Sequence, residues 1–235
     1  MLVLELKEKT QGVFKMLLDN INNKLPTVHI SKMTGKLQGF KAISTNTTTN
    51  EFCIKQFLSD KDTICKNCYS HIMLNSYRKN MQACLQRNSD LLSSTILHSQ
   101  QLPTILDLYF RFSAHGELIN DVHFINLINI CIKNPLTTFA LWTKRKDIVN
   151  KVLKNIDKPS NLILIFSNPI KSRILYKIPK NFDKTFNNVL ENENVDEQNC
   201  TGQKCFIDNC MKCYDHNEYN TIVEAVKFNG RTVKE

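Results

Sequence analysis

The chain has 235 residues, 42% of them hydrophobic, which is enough to build a core and excludes a disordered protein. No apolar run is long enough to cross a bilayer, and the N-terminus becomes charged too early for a secretory signal, so we expect a cytoplasmic protein without a membrane partner. Lysine and arginine number 31 against 22 acidic residues, and the net charge of +9 leaves a nucleic-acid or other polyanionic partner open.

Strand-like and helix-like segments alternate between about residues 36 and 178. A short helix or edge element is predicted within residues 1–30, and Asn120 is the expected cap of a helix. Strands are predicted at residues 36–44, 105–113, 137–143, 161–167 and 173–178, and helices at residues 71–97, 121–132 and 144–155. The alternation is typical of repeated βαβ units, a parallel sheet and an open or closed α/β barrel, with the active site at the carboxyl ends of the strands.

The chain changes character after Pro179. Residues 181–199 are polar and rich in asparagine and glutamate, which predicts a linker or a loose loop. A cysteine-rich segment follows, and then a short apolar element at residues 221–228. The predicted organisation is an N-terminal extension (1–35), a βα barrel core (36–180), and a linker with a metal-binding C-terminal segment (181–235).

Seven of the nine cysteines fall into two groups. The first group is Cys53, Cys65 and Cys68, with the spacing C-x11-C-x2-C. The second group has the spacing C-x4-C-x4-C-x2-C and consists of Cys200, Cys205, Cys210 and Cys213. Without a secretion signal the compartment should be reducing, and cysteine clusters there are more often metal-binding or catalytic than disulfide-bonded. Cys84 and Cys131 stand alone and are interpreted as small buried hydrophobic residues.

Each cysteine group allows more than one metal. Three cysteines on a loop after the first strand can hold a 4Fe–4S cluster and leave one iron open for chemistry. The alternatives for this group are a zinc site completed by His71, or no metal at all. Four cysteines in the second group can close a structural zinc site or hold a second 4Fe–4S cluster, and their spacing does not decide between the two.

Polar residues that follow the next three predicted strands are candidates for ligand binding. They are Gly116 and Glu117, then Thr143 and Lys144, and then Ser167 and Asn168. The glycine turn and its carboxylate could receive an ammonium group, and the lysine could meet a ligand carboxylate. The last pair could bind ribose hydroxyls. Solvated turns or an Asx-type turn would explain the same residues equally well.

Five features in this order resemble the gene product 88 family of phage proteins. They are a cysteine loop that ends in Cys68-Tyr69, an Arg-x-x-x-x-Gly-acid turn at residues 111–117, an aromatic-Thr-Lys strand end at residues 142–144, a Leu-Ile-Phe-Ser strand at residues 164–167, and a cysteine-rich tail. The likeness runs from about Leu25 to Cys213. For a phage-encoded protein, the expected compartment is the host cytoplasm.

That family in turn looks like the radical S-adenosylmethionine (SAM) superfamily, which implies a partial, incomplete parallel βα barrel. The resemblance implies that Cys53, Cys65 and Cys68 hold a catalytic 4Fe–4S cluster and that Gly116 and Glu117 take the SAM amine. It extends cofactor-binding roles to Tyr69, Ser113, Thr143, Lys144, Ser167 and Asn168. The reduced cluster would cleave SAM to a radical that abstracts hydrogen from an unknown substrate, a nucleic acid among the options, with electrons from a reducing donor. The superfamily's usual spacing is C-x3-C-x2-C, whereas the first gap here is eleven residues.

Two other functions remain open from the sequence. One is a non-catalytic zinc protein that binds nucleic acid or a protein partner through a basic face. The other is a degenerate barrel that keeps its cluster as a structural or redox-sensing element.

Overall fold

The computed structural model describes residues 26–190, 195–200, 205, 210–216 and 219–226, with the backbone alone at three of these positions. The helix or edge element predicted within residues 1–30 lies outside the described residues except for its last five positions. Those five residues form neither helix nor strand.

A seven-stranded sheet forms the frame of the molecule, and its strand order is the order of the chain. The strands are β1 (Ser31–Lys32), β2 (Lys41–Ile43), β3 (Tyr109–Phe112), β4 (Thr138–Thr143), β5 (Leu162–Ser167), β6 (Lys184–Leu190) and β7 (Thr221–Val226). β1 pairs with β2 in antiparallel fashion, and every later pair is parallel. The predicted α/β class with a largely parallel sheet is confirmed. The described strands form an open sheet with β1 and β7 at its two edges.

The described helices lie in the connections between the strands. They are α1 (Glu51–Phe57), α2 (Tyr69–Asn75), α3 (Gln82–Ser94), α4 (Asp121–Lys133) and α5 (Lys146–Val152). The first three connect β2 to β3, and the last two follow β3 and β4. Asn120 caps α4 as predicted, because its side chain accepts a hydrogen bond of 2.9 Å from the amide of His123. None of the described helices is long and apolar enough to cross a membrane.

Alternating side chains give the sheet two apolar faces. On one face, Phe139, Leu141 and Leu164 pack in a large buried cluster with side chains of α4 and α5. On the other face, Ala140, Trp142, Ile163 and Ile165 pack with Phe40 and Tyr214. Helices therefore cover the first face, and the cysteine-rich segment between β6 and β7 covers part of the second. The space that remains on the second face holds the site described below.

The prediction of a strand at residues 173–178 and of a linker at residues 181–199 is wrong. Residues 173–178 form no strand, whereas β6 lies within the expected linker and pairs with both β5 and β7. The sequence of β6, KTFNNVL, does not look like a buried strand because two asparagines occupy its centre. Asn187 is fully buried, and its side-chain oxygen accepts hydrogen bonds from the Leu175 amide and from Asn168.

Other predicted elements are shorter or divided. The single helix predicted at residues 71–97 is two helices, α2 and α3, separated by an irregular turn. The predicted strands at residues 36–44 and 105–113 are reduced to β2 and β3. Helix α1 is absent from the prediction, although it carries Cys53 in its first turn.

Candidate functional site

A cavity of about 830 Å³ opens on the sheet face opposite the helices. Its floor includes the side chains of Arg111, Trp142 and Phe186, which project from β3, β4 and β6. Loops that follow β2, β3 and β4 form one wall, and the cysteine-rich segment forms another. Its volume falls in the range of about 300–1,000 Å³ that is typical of small-molecule sites.

Both cysteine groups line this one cavity. The lining includes Cys53, Cys65 and Cys68 from the first group, and Cys200, Cys205, Cys210 and Cys213 from the second. All seven side chains are partly buried. About 130 residues of chain separate the two groups, so their spacing in the sequence gave no indication that they share a space.

Backbone hydrogen bonds anchor the first cysteine group. Asn50 caps α1 by accepting from the amide of Cys53 at 3.2 Å. Cys65 lies in a short 3-10 turn, Ile64–Asn67, and the amide of Cys68 donates to its carbonyl at 3.1 Å. The amide of Ile64 donates to the carbonyl of Pro169 at 3.0 Å. The loop is therefore tied to the carboxyl end of β5.

Lys144 is the cation nearest to these thiols. Its Nζ donates to the hydroxyl of Ser167 at 3.1 Å. Burial alone would lower the pKa of Lys144, but attraction to Cys65, Cys68 and Cys53 in their thiolate forms and to the Glu117 carboxylate outweighs burial and raises it. Lys144 therefore carries a positive charge within the cavity wall.

The same surroundings keep the Cys53 and Cys65 thiols protonated when nothing is bound. Burial is the largest effect and raises the pKa of both Cys53 and Cys65, while the charge of Lys144 opposes it. Thiolates are the form that binds metal, so binding at this group must release protons. The positive charge of Lys144 would offset part of the cost of forming thiolates there.

Glu117 lines the cavity, but its carboxylate is already engaged. One oxygen, Oε1, accepts from the Leu118 amide at 2.8 Å and from the Thr143 hydroxyl, and Oε2 accepts from the Lys144 amide at 2.8 Å. An ionised carboxylate offers about four acceptor sites, so about one remains for a ligand. The carboxylate also joins the loop after β3 to the end of β4.

Gly116 brings the same loop against the end of β2. Its φ of +85° lies in the left-handed region, and a Cβ at this position would lie 2.1 Å from the Thr45 hydroxyl oxygen. The amide of Thr45 donates to the carbonyl of His115 at 3.0 Å, and the amide of Ser113 donates to the carbonyl of Ile43 at 2.9 Å. Only glycine permits this close approach of the two loops.

Most of the predicted cofactor-binding residues line the cavity, and two do not. Tyr69, Ser113, Gly116, Glu117, Lys144 and Ser167 are in the lining, whereas Thr143 and Asn168 are outside it. The side-chain amide of Asn168 donates to the side-chain oxygen of Asn187 and to the carbonyl of Arg173, so it joins the end of β5 to the middle of β6 and to the loop after β5. His71 lines the cavity with its ring stacked on Phe57 at 4.1 Å.

The second cysteine group is held by β7 and by an aromatic cluster. The amide of Cys200 donates to the carbonyl of Val223 at 2.9 Å. Tyr214, next to Cys213, stacks on Phe40 at 4.8 Å and meets Trp142 edge-on. Burial raises the pKa of the Cys213 thiol, and Cys200 adds to this effect, while Arg111 opposes it.

In the part of the chain that the structure describes, no three histidine, cysteine, aspartate or glutamate side chains form a group arranged to hold a metal ion. The two cysteine groups thus surround a shared space and are not assembled around a single point. Metal binding at either group would require side chains to turn toward the bound metal.

Arg111 and Tyr214 line the cavity but were not among the predicted site residues, and Arg111 entered the prediction only as the first residue of the turn motif at residues 111–117. Arg111 interrupts the apolar run ILDLYFRFS with a charge, and this is the signal that could have identified it. Tyr214 directly follows the last cysteine and gave no such signal.

The comparisons with known proteins identify one family. A family model described as Gene product 88 matches residues 16–225, most of the chain. No curated protein and no solved structure shows significant similarity.

Proposed function

Since this chain belongs to the Gene product 88 family, the phage family that its motifs resemble, we propose that it is an iron–sulfur enzyme of radical-SAM type. The observation that carries the proposal is the meeting of both cysteine groups in one cavity beside Lys144. A purely structural metal site has no need of an adjoining cavity of about 830 Å³.

The donor chemistry of the first group supports a 4Fe–4S cluster on Cys53, Cys65 and Cys68. Thiolates are the ligands of such clusters, and three of them leave one iron open. Lys144 supplies a positive charge that favours the deprotonated thiols. When bound, the cluster would supply the electron that cleaves SAM, and the resulting radical would take hydrogen from the substrate.

Residues of the cavity wall would hold SAM next to the open iron. The Lys144 ammonium and the Ser167 hydroxyl, which are hydrogen-bonded to each other, offer groups for a carboxylate and for ribose hydroxyls. The remaining acceptor site of Glu117 would take the SAM amine. Tyr69 and Ser113 lie in the same lining.

The second cysteine group would hold an auxiliary 4Fe–4S cluster or a zinc ion. Four thiols leave no open position, which suits an electron-transfer or structural role. The substrate would then bind between the two groups, on the floor formed by Arg111 and Trp142.

The topology supports a partial barrel. From β2 to β5 the parallel strands follow one another in chain order, and the usual right-handed crossovers would bring the connecting helices to one face of the sheet. The sheet can then curve around the other face, where the cavity lies. Active sites of barrel enzymes occupy the carboxyl ends of such strands.

Metal analysis with EPR spectroscopy tests this proposal. The full chain is expressed and reconstituted under anaerobic conditions, and iron, zinc and labile sulfide are measured. EPR spectra of the dithionite-reduced protein are recorded before and after addition of SAM. We expect iron with sulfide and a 4Fe–4S signal that shifts with SAM. Zinc without sulfide would reject the iron–sulfur enzyme in favour of a zinc-binding interaction protein.

Cysteine variants assign the signal to the first group. Cys68→Ser should abolish the SAM-dependent signal, whereas Cys84→Ser, on α3 and outside the cavity lining, should leave it unchanged. If Cys68→Ser removed only a SAM-independent signal, the assignment of the cluster to this group would be wrong. A cluster in the wild-type protein that never responds to SAM would leave a redox or structural role.

A further inference from the structure

Arg111 is a charged side chain in the middle of a strand, on the sheet face that forms the cavity floor. Its guanidinium carbon lies 3.9 Å from the centre of the Trp142 ring, so the cation stacks on the indole. This contact orients the guanidinium plane but uses none of its N–H donors.

The donors of Arg111 lack an anionic partner among the described residues. Its Nε is buried and makes no hydrogen bond there, and no carboxylate forms an ion pair with it. Leaving a buried donor unsatisfied destabilises the fold, and the cost is larger for a charged group. Native structures rarely accept this cost without a function.

Tyr214 adds a second polar group at the same place. Its side chain is only 2% exposed, and apart from its contact with the Arg111 guanidinium the hydroxyl makes no hydrogen bond among the described residues. Both residues line the cavity. Two polar groups from distant parts of the chain thus meet at one place in the cavity lining.

We infer that Arg111 and Tyr214 form an anion subsite that binds a phosphate group of the substrate. The guanidinium fork matches two oxygens of an oxyanion, and the tyrosine hydroxyl can donate to a third. Phosphate has three terminal oxygens, whereas a carboxylate has only two. The inference deepens the proposed function and rests on it only in taking the bound anion as part of the substrate.

The position of the subsite fits this role. Arg111 lines the same cavity as His115, in the loop after β3, and as Cys213 of the second cysteine group. A phosphate held there would fix one end of a substrate between the two cysteine groups. The net charge of +9 agrees with a phosphorylated partner and would favour its approach.

Calorimetric titration of the reconstituted full chain tests the inference with two matched ligand pairs. The first pair is thymidine 5′-monophosphate and thymidine, and the second is succinate and succinamide. We expect the monophosphate to bind at least about tenfold more tightly than the nucleoside. Equal affinities within the first pair, or a charge preference in the second pair alone, would overturn the phosphate assignment.

Three variants show which residues produce the preference for the monophosphate over the nucleoside. Arg111→Gln should remove this preference, and Tyr214→Phe, which keeps the ring in the aromatic cluster, should reduce it about two- to fivefold. Arg87→Gln, an exposed arginine on α3, removes the same charge outside the cavity and should change nothing. If Arg111→Gln does not fold, as judged by its thermal transition, the Tyr214→Phe result decides.

The same variants separate this inference from a role of Arg111 toward the thiols. If Arg111→Gln loses metal from the second cysteine group while the preference for phosphate persists, the subsite is rejected and Arg111 is a counter-charge for cysteine. Titration of protein purified without iron gives a separate readout. A phosphate preference there would uphold the subsite even if no iron–sulfur cluster forms.

Discussion

Glu117 holds the carboxyl ends of two strands together through a single carboxylate. Its carboxylate oxygens accept hydrogen bonds from two backbone amides and from a threonine hydroxyl. Its backbone carbonyl accepts a further hydrogen bond from the side-chain amide of Asn50 at 3.0 Å. A ligand bound to this residue would therefore meet a group whose position is fixed in advance. Such preorganisation lowers the cost of binding.

Glu117→Gln should destabilise the fold by about 1–3 kcal/mol, because an amide nitrogen would face a backbone N–H or a hydroxyl donor. Iron content after reconstitution should stay unchanged, while SAM binding should weaken. Thermal unfolding, iron analysis and SAM titration give the three readouts. Asp60→Asn, an exposed acid on the surface, is the control and should shift stability by no more than about 0.5 kcal/mol. Loss of iron in Glu117→Gln would show that the residue shapes the cysteine loop.

Gly116→Ala tests the close approach of the loops after β2 and β3. The added Cβ would overlap the hydroxyl and carbonyl of Thr45 in addition to straining the backbone, so we expect a loss of about 2–4 kcal/mol. Gly35→Ala is a matched control, since Gly35 also has a positive φ, of +66°, but nothing lies within 4 Å of its Cβ position. Its cost should be about 1–2 kcal/mol from the backbone alone. Equal losses of unfolding free energy for Gly116→Ala and Gly35→Ala, measured by urea unfolding, would contradict the close contact of Gly116 with Thr45.

At the scale of elements, α4 carries a buried histidine that responds to acid. Burial lowers the pKa of His123 to about 3, and its Nδ1 accepts from the Ile119 amide at 3.2 Å. In the unfolded chain His123 takes up a proton near pH 6.5, whereas in the folded chain it stays neutral until about pH 3. The stability that the neutral His123 contributes is therefore fully present above pH 6.5 and is lost as the pH falls toward 3. The loss can reach about 1.4 kcal/mol per pH unit.

His123→Asn keeps an acceptor for the Ile119 amide but cannot titrate. Its free energy of unfolding should therefore decline less steeply than that of the wild type between pH 6.5 and 4. His98→Asn, which changes an exposed histidine, should retain the wild-type slope. Parallel curves for His123→Asn and the wild type in chemical denaturation would show that His123 is not the acid-sensitive group.

The sequence predicted those strands whose interior residues are all apolar. LILIFS and TFALWT were located to within one or two residues because burial on both faces leaves polar residues only at the strand ends. β6 was missed because its buried asparagines use their amides to satisfy neighbouring loops, a tertiary effect that no local pattern contains. RILYKI was predicted as the fifth strand in its place.

At the scale of the whole molecule, β6 and β7 belong to the same sheet as the preceding strands. A chain that ends at residue 180 would expose the β5 edge and uncover Trp142 and Ile165. We expect it to lack a cooperative thermal transition by circular dichroism. A full-length variant with serine at all four cysteines of the second group keeps both strands and should still unfold cooperatively. Cooperative unfolding of the shortened chain would indicate an independent core.

The candidate site was predictable only where its residues follow strands directly. The first cysteine group, Gly116 and Lys144 could be assigned to strand ends, and strand ends of a parallel sheet meet at one edge. The second group reaches the same cavity because the connection from β6 to β7 crosses the sheet face opposite the helices. That path depends on β6, which the sequence pattern did not predict. The meeting of the two cysteine groups in one cavity therefore could not be predicted either.

The agreement between strand order and chain order has a consequence for biosynthesis. As the polypeptide leaves the ribosome, each parallel strand finds its neighbour already made, so the sheet can grow by addition at one edge. The cysteine-rich crossover and β7 emerge last and cover the cavity from above. Until then the first three cysteines line a cavity that the cysteine-rich segment does not yet cover. A cofactor of the kind proposed would meet this open cavity if it were delivered during translation, whereas later delivery would require entry through the mouth of the finished cavity.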